Sequence, residues 1–295
     1  MGKIWFGPAG TADSFAAMGY KKTTQIPDYL EKMGLNAFEY QCGRGVRVND
    51  ATAESLKKQF AEKNLRMSLH APYYISLSSV EEEKRRGSVK YILESADAAR
   101  KLGADRVVVH SGSCSKISRA EALELAKDTL RMALAALDEA GLSDIILCPE
   151  TMGKMGQLGT LEEVLELCTI DERLLPCIDW GHLNARTLGG MTTREEFEEA
   201  FRLFDSKLGR DRLKNHHSHF SRIEYTENGG EKRHLTFADE KYGPWFEPLA
   251  ETILGYDCTP VIICESAGTQ SEDAAAMRDC YRAAADNEKN EKETE

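Results

Sequence analysis

The sequence predicts an α/β protein built as a single (β/α)8 barrel, the TIM barrel. Short, β-branched apolar segments alternate with longer segments of helical periodicity, and this pair of segments occurs eight times. The strand segments are continuously apolar, which is typical of a parallel sheet covered by helices. A doubly wound open sheet is the alternative, but no GxGxxG motif follows the first strand. We expect the barrel to span residues 1–285 and the charged residues 286–295 to form a disordered tail.

The predicted strands end at glycine, aromatic, histidine or acidic residues, and they are 3–7, 37–40, 66–70, 106–110, 144–149, 175–179, 213–219 and 260–265. The predicted helices have apolar residues three and four positions apart, and they are 24–33, 51–63, 80–102, 119–140, 161–168, 194–208, 246–254 and 271–285. Glycines stop two of the helices, at Gly103 and Gly141. The turn sequence Asn228-Gly-Gly230 predicts a hairpin between strand seven and the next helix.

Composition is that of a globular protein, with 41% hydrophobic and 29% charged residues among 295. No apolar run approaches the roughly 18 residues of a membrane span, and the N-terminus has no signal-peptide pattern, so we expect a cytoplasmic protein without membrane contact. Eight cysteines form no CxxC pair and are expected to be reduced and structural. A net charge of −11 argues against a nucleic-acid partner without excluding one, because bound cations would reverse the sign of the local charge at their site. No feature indicates a protein partner.

The candidate functional residues lie at the ends of the predicted strands. In a TIM barrel these residues point to a common region at the mouth, and here they are Gly7, Tyr40, His70, His110, Glu150, Asp179, His219 and Glu265. Six of these eight are histidine or acidic residues. Two more histidines lie near them, His182 three residues after strand six and His234 on the hairpin. The sequence therefore predicts eight nitrogen or oxygen donors at one mouth.

This set of donors indicates a polynuclear metal centre. A single histidine at a strand end is more often structural than a ligand, but six such residues together need a common reason, since buried acids are costly unless they are paired or bind metal. One ion needs about four donors, so eight predict two or three ions. Imidazole and carboxylate suit Zn²⁺, and Mn²⁺ or Fe²⁺ accept the same donors. Clustered divalent ions suit phosphodiester cleavage, with Glu150 and Glu265 as the catalytic carboxylates.

Two further histidines precede His219. Strand alternation places His217 on the same face as His219, one layer deeper, and predicts that His216 packs against a helix. We expect neither of them to be a metal ligand.

At these positions the chain resembles the endonuclease IV family, metal-dependent abasic-site endonucleases of the xylose isomerase-like TIM-barrel superfamily. The resemblance covers residues 1–285 and rests on the order and spacing of short motifs, namely His70 before a tyrosine pair, His110-Ser-Gly-Ser113, Glu150 with a glycine-rich loop, Ile178-Asp-Trp-Gly-His182, His219, Arg233-His234 and Ile-Cys-Glu265. The resemblance implies three zinc sites. His70 and His110 would bind the first, Glu150 would bridge the first and second, and Asp179, His219 and Glu265 would complete the second.

The third zinc site is where the chain departs from the family. The resemblance implies that His182 and His234 bind this ion together with an aspartate two residues before the hairpin histidine, but this chain has Lys232 there. On a regular strand, positions 232 and 234 share a face, and Glu231 points the other way unless a bulge intervenes. We therefore expect either a weak or absent third ion, or a Lys232 ammonium that replaces part of its charge.

The resemblance also implies a damaged duplex DNA partner. By match to the family, Arg44 or Arg47 from the loop after strand two, together with Tyr73 and Tyr74, would enter the DNA helix at the abasic site. The alternative is that the two tyrosines line a small-molecule pocket.

The sequence thus predicts a hydrolase, a zinc-dependent endonuclease that cuts DNA 5′ to abasic sites in repair. The alternative is a sugar isomerase or epimerase of the same superfamily, which would need only one ion held by Glu150, Asp179, His219 and Glu265. A third alternative is a binding protein with a degraded metal centre.

Overall fold

Eight parallel strands form a barrel, and a two-stranded hairpin stands at its mouth. The computed structural model describes residues 3–114 and 117–294. The strands in this part of the chain are β1 (Trp5–Pro8), β2 (Ala37–Gln41), β3 (Arg66–His70), β4 (Arg106–His110), β5 (Ile146–Glu150), β6 (Cys177–Asp179), β7 (His217–Phe220), β8 (Ile223–Thr226), β9 (Gly230–His234) and β10 (Val261–Cys264). The predicted TIM barrel is confirmed, as is the hairpin, which is formed by β8 and β9.

Helices surround the sheet. They are α1 (Asp13–Ala17), α2 (Ile26–Met33), α3 (Asp50–Glu62), α4 (Glu82–Leu102), α5 (Arg119–Glu139), α6 (Leu161–Leu167), α7 (Trp180–Arg186), α8 (Arg194–Leu208), α9 (Arg210–Lys214), α10 (Phe246–Gly255) and α11 (Gln270–Thr294). Within the described ranges no helix is both long and apolar enough to cross a membrane. All eight cysteines are free, as expected.

The hydrogen-bonded order of the barrel strands is β1-β10-β7-β6-β5-β4-β3-β2. The sheet closes between its two edge strands, where Ala9 forms a parallel bridge with Glu39 and the Gly10 amide donates to the Glu39 carbonyl at 3.0 Å. Closure brings the ends of all eight strands to one rim.

Strand alternation separates two packing layers. Outward residues such as Val107 and Val109 of β4 join the large apolar core under the helices, whereas inward Val108 packs with Cys148 and Cys177 inside the barrel. Because β4 and β5 are in register, with His110 opposite Glu150, the inward row ends in polar side chains at the mouth.

The structure differs from the prediction at strand seven. Residues 210–214 form helix α9, and β7 begins only at His217. A five-residue helix is marginal alone, but the Arg212 guanidinium donates to the Cys168 carbonyl at 2.8 Å and to the Leu174 carbonyl at 3.2 Å. These tertiary contacts hold the segment in a helix.

The end of the chain also differs from the expected disordered tail. Helix α11 runs on to Thr294, so residues 286–294 are helical. Glutamate and lysine favour helix, and Lys289 lies 3.6 Å from Asp286, one turn earlier. Helix propensity and charge pairs one turn apart therefore explain why residues 286–294 are helical, although their composition predicted a disordered tail.

Gly7 tests how tightly the barrel closes. A Cβ atom at this position would lie 1.9 Å from the Ala37 carbonyl oxygen of β2, so Gly7→Ala should lower the free energy of unfolding by about 3 kcal/mol. Gly87 in α4 is the matched control, because its Cβ would meet no atom within 4 Å and alanine favours helix by up to about 1 kcal/mol. Urea unfolding followed by circular dichroism measures both variants. Wild-type stability of Gly7→Ala would show that β1 and β2 do not meet as described.

Candidate metal centre

The strand ends bring the predicted donors to one mouth. His70, His110, Glu150 and Asp179 end four successive strands, and Glu265 directly follows β10. A cavity of about 460 Å³ opens there, and six of the eight predicted donors line it, namely His70, His110, Glu150, His182, His234 and Glu265. The other two, Asp179 and His219, are fully buried, as expected for residues beneath a cavity floor.

The Glu150 carboxylate lies at the centre of these donors and is almost completely buried. Its Oε2 atom is 3.4 Å from His70 Nε2 and 3.3 Å from His110 Nε2. Its Oε1 atom is 2.9 Å from His219 Nδ1 and 3.7 Å from His182 Nδ1. One carboxylate thus faces imidazoles from four elements of the barrel.

The described residues contain four groups able to hold an ion, each with its donor atoms within 4.8 Å of one another. One of them, Cys177, His217 and His219, contains none of the cavity-lining residues, and the other three contain the predicted donors. His70, His110 and Glu150 make the first group. The second consists of Glu150, Asp179, His219 and Glu265, so Glu150 belongs to both. The third group is His182, Glu231 and His234.

Most separations between donors of one group fit metal ligands better than hydrogen-bond partners, and the exception is His219 Nδ1 with Glu150 Oε1 at 2.9 Å. Two ligands that each lie about 2.0–2.1 Å from a tetrahedral ion are roughly 3.3 Å apart. The separations here match, with 3.5 Å between His182 Nε2 and Glu231 Oε2 and 3.5 Å between His219 Nδ1 and Glu265 Oε1. Moreover, Glu150 Oε2 and Asp179 Oδ2 are buried without a hydrogen-bond partner among the described residues. Buried carboxylate oxygens are costly in that state, and a cation would satisfy them.

Hydrogen bonds to the second ring nitrogen orient three of the histidines. The Nδ1 atom of His70 contacts the Ala71 carbonyl at 2.9 Å, and that of His182 contacts the Thr151 carbonyl at 2.9 Å. His234 Nδ1 lies 2.8 Å from the Ser221 hydroxyl. Each contact leaves Nε2 free to face a carboxylate in its group, as metal-binding histidines require.

Electrostatics of the metal-free site favour a cation. Burial alone would lower the pKa of His70, but the Glu150 carboxylate raises it to about 9. For His182, burial likewise opposes a positive charge, yet Asp179 and Glu150 raise the pKa to about 9. Burial would also raise the pKa of Glu150, but the surrounding histidines hold it well below its usual range. His70 and His182 are therefore positively charged at neutral pH in the metal-free site. A metal ion would displace one proton from each and replace their positive charge.

The expectation that Lys232 shares a face with His234 is wrong, because the bulge that would move Glu231 to that face is present. Opposite β8, Arg233 pairs with Glu224 and Glu231 pairs with Tyr225, so Lys232 forms a bulge in β9. The bulge reverses the alternation. It turns the Lys232 ammonium outward to Glu224, at 2.6 Å, and brings Glu231 onto the face of His234. Glu231 thus supplies a carboxylate where the sequence pattern suggested a cation.

Glu39 was missed by the sequence prediction. The sequence pattern predicts Tyr40 as the mouth-facing end of strand two, but β2 runs to Gln41, and Tyr40 packs against the outer core. Glu39 faces into the barrel, fully buried, with its Oε2 atom 3.0 Å from His217 Nε2. The alternation Ala-Phe-Glu-Tyr-Gln contained the signal, because Ala37, Glu39 and Gln41 share a face.

His217 therefore lies in the deeper layer below His219, as predicted. His216 packs between Phe201 and Phe204 of α8, with ring centroids at 5.5 and 5.9 Å, also as predicted. Burial lowers the pKa of both histidines to about 4, so they are neutral at physiological pH.

The residues predicted to contact DNA lie beside the metal centre. Tyr73 is 58% exposed and stacks on His110 with ring centroids 5.6 Å apart, and its amide donates to the Gly43 carbonyl. Arg44 and Arg47 line a groove of about 490 Å³ with Tyr73. Tyr74 is 50% exposed but turns away and packs on Tyr91. Tyr73 and the loop that contains Arg44 and Arg47 form one continuous surface at the mouth, and Tyr74 lies at the edge of that surface.

Comparison with known proteins agrees with this architecture. Residues 27–284 match the model of the xylose isomerase-like TIM barrel family. The chain belongs to that family.

Among relatives within this family, an uncharacterised protein of Methanocaldococcus jannaschii is 32% identical over 274 residues, covering 93% of this chain and 94% of that one. A protein of Methanosphaera stadtmanae named probable endonuclease 4 is 27% identical over 206 residues, 68% of this chain and 71% of that one. The second of these relatives agrees with the resemblance to endonuclease IV.

Solved structures share the fold. Endonuclease IV from Thermus thermophilus superposes with a TM-score of 0.67 at 22% identity, over 97% of this chain and all of the other. A D-tagatose 3-epimerase-like protein gives 0.67 at 20% identity, over 97% and 99% of the two chains. The fold alone therefore does not distinguish a nuclease from an epimerase.

Glu231 and Lys232 make a matched pair for testing the third group. If His182, Glu231 and His234 hold one ion, Glu231→Gln should lose one zinc equivalent, whereas Lys232→Ala should keep the wild-type count because Lys232 points away. The measurement is elemental analysis of zinc-loaded protein after gel filtration. A higher count in Lys232→Ala with no change in Glu231→Gln would instead place the Lys232 ammonium in the site, as in the regular-strand arrangement.

Proposed function

We propose that this protein is a zinc-dependent phosphodiesterase that cuts DNA 5′ to abasic sites. The observation that carries the proposal is the surplus of donors. The group of Glu150, Asp179, His219 and Glu265 is sufficient for one ion, yet two more histidine pairs adjoin it, one of them completed by Glu231. An enzyme that needed one ion would not require these additional groups.

Divalent ions bound here would lower the pKa of a water, hold phosphate oxygens and stabilise a leaving alkoxide. The protein's part is to hold the donors in place. Glu150 is buried and shared between two groups, which suits a bridging carboxylate. Glu265 lines the cavity and its side chain is 16% exposed, so it borders the region where a substrate would enter.

Two features of the mouth support an anionic, base-containing substrate. Lys154 is the one lysine or arginine among the described residues lining the 460 Å³ cavity, and an ammonium there suits a phosphate. Exposed Tyr73, held against His110, offers a flat face for stacking in the gap left by a missing base. Arg186 has a structural role instead, because its guanidinium donates to the Met152, Lys154 and Gln157 carbonyls.

The second candidate is a sugar epimerase or isomerase. It is favoured by one observation, the complete four-residue set around His219 and Glu265, which is enough for single-ion chemistry on a sugar. Under this alternative Tyr73 lines a sugar pocket, and the group containing Glu231 has no role in the reaction.

An incision assay separates the two functions. Zinc-loaded protein is incubated with a duplex carrying one tetrahydrofuran abasic analogue and with an undamaged duplex, each with and without a chelator. We expect cleavage 5′ to the analogue that the chelator abolishes. Glu265→Gln should reduce the rate by more than about 100-fold, because even the loss of an outer partner of a ligand costs about 10–100-fold.

Glu227→Gln is the control for that variant, since Glu227 is exposed in the hairpin turn and should retain full activity. The same preparations are offered ketoses and aldoses. Turnover of a sugar without chelator-sensitive incision would replace the nuclease proposal by the epimerase.

A further inference from the structure

Glu39 occupies a position that the proposed reaction does not explain. It is a fully buried carboxylate inside the barrel, below the cavity. Its Oε2 atom accepts hydrogen bonds from the Ser68 hydroxyl at 2.9 Å and from His217 Nε2 at 3.0 Å. Its Oε1 atom accepts one from Gln41 Nε2 at 3.1 Å and lies 3.1 Å from His219 Nε2, a buried atom for which Glu39 is the nearby carboxylate although the pair lacks hydrogen-bond geometry. Four polar side chains thus converge on one charge where barrels normally hold apolar side chains.

The contact with His219 distinguishes this histidine from three other predicted ligands. His70, His182 and His234 direct Nδ1 to a neutral oxygen and present Nε2 to their groups. His219 has the opposite orientation, with Nδ1 toward Glu150 and Glu265 and Nε2 toward Glu39. His182 Nδ1 also lies 3.2 Å from Asp179 Oδ2, but His219 is the one member of these four that presents Nδ1 to its group and Nε2 to a carboxylate outside the group.

We propose that Glu39 is a positioning residue for the metal centre, which keeps the proton of His219 on Nε2 so that Nδ1 is free to bind the ion held with Glu150, Asp179 and Glu265. The inference rests on the proposed metal centre. A carboxylate behind an imidazole fixes the tautomer and the ring orientation and raises the basicity of the metal-binding nitrogen. His217 and Ser68 hold the other oxygen, so the carboxylate cannot rotate away from His219 without breaking both hydrogen bonds.

The expected effect is selective. Loss of such an outer partner weakens metal binding by about 10- to 100-fold. Only the ion bound by His219 should weaken, because the groups containing His70 and His182 have their own hydrogen-bond partners. A merely structural role for Glu39 would instead weaken all sites together or destabilise the metal-free protein.

The test is a zinc titration of metal-free, full-length protein in competition with a chromophoric chelator, together with thermal unfolding of the metal-free protein. In Glu39→Gln, one equivalent should bind about 10- to 100-fold more weakly while the others keep their affinity. Glu39→Asp retains the charge and should recover part of the lost affinity. Ser95→Ala is the control, because it removes a buried hydroxyl that donates to the Tyr91 carbonyl within α4, and it should bind every equivalent like the wild type.

Unchanged affinity of every equivalent in Glu39→Gln, with normal zinc binding by the wild type, would overturn the inference alone. It would also be overturned if Glu39→Gln weakened every equivalent together and lowered the melting temperature of the metal-free protein, while Ser95→Ala behaved like the wild type. A wild-type protein that binds no divalent ion would overturn the metal centre itself and this inference with it.

Discussion

The burial of the Glu150 carboxylate is the constraint around which the site is arranged. It ends an apolar strand and is shielded from water, and its Oε2 atom has no hydrogen-bond partner among the described residues. An isolated charge in such a place costs several kcal/mol. Imidazoles from β3, β4, β7 and α7 surround it, and three of them, His70, His182 and His219, have raised pKa values and supply compensating positive charge when no metal is present. The parallel register of β4 and β5 is what brings His110 opposite Glu150.

The position of the hairpin formed by β8 and β9 depends on its contact with the loop after β5. The Glu231 amide donates to the Gly153 carbonyl at 3.1 Å, and Lys154 bridges to Gly230. A Cβ atom at Gly153 would lie 2.6 Å from the Glu231 Cβ and 3.0 Å from the His182 ring, so only glycine leaves room there. Arg186 fixes the same loop through three carbonyls. The bulge at Lys232 and this close contact together place Glu231 beside His182 and His234.

Much of this arrangement follows from sequence because barrel geometry is regular. A residue at the end of a parallel strand has one place to point, so His70, His110 and Asp179 could be assigned to the mouth from strand pattern alone. The alternation rule also placed His217 below His219. The resemblance to endonuclease IV supplied the grouping of the donors, and the distances around Glu150 are consistent with that grouping.

Features decided by tertiary contacts were not predictable in the same way. The bulge at Lys232 is set by how β9 pairs with β8, and no turn or glycine marks it in the sequence. Glu39 was missed because strand two was ended one residue early, at Tyr40. Helix α9 forms although five residues are too few for a stable isolated helix, since Arg212 is held by carbonyls from another part of the chain. For the bulge and for α9, contacts with residues distant in sequence outweigh the local pattern.

The central claim is that Glu150 joins ions in adjacent groups into one polynuclear centre. X-ray absorption spectroscopy of the zinc-loaded protein at the zinc edge tests this most directly. A shared carboxylate predicts metal–metal scattering at about 3.5–4 Å, together with nitrogen and oxygen neighbours near 2.0–2.1 Å. A spectrum with the nitrogen and oxygen neighbours but no metal–metal scattering, from protein that binds one equivalent, would contradict the claim and leave a single-ion site.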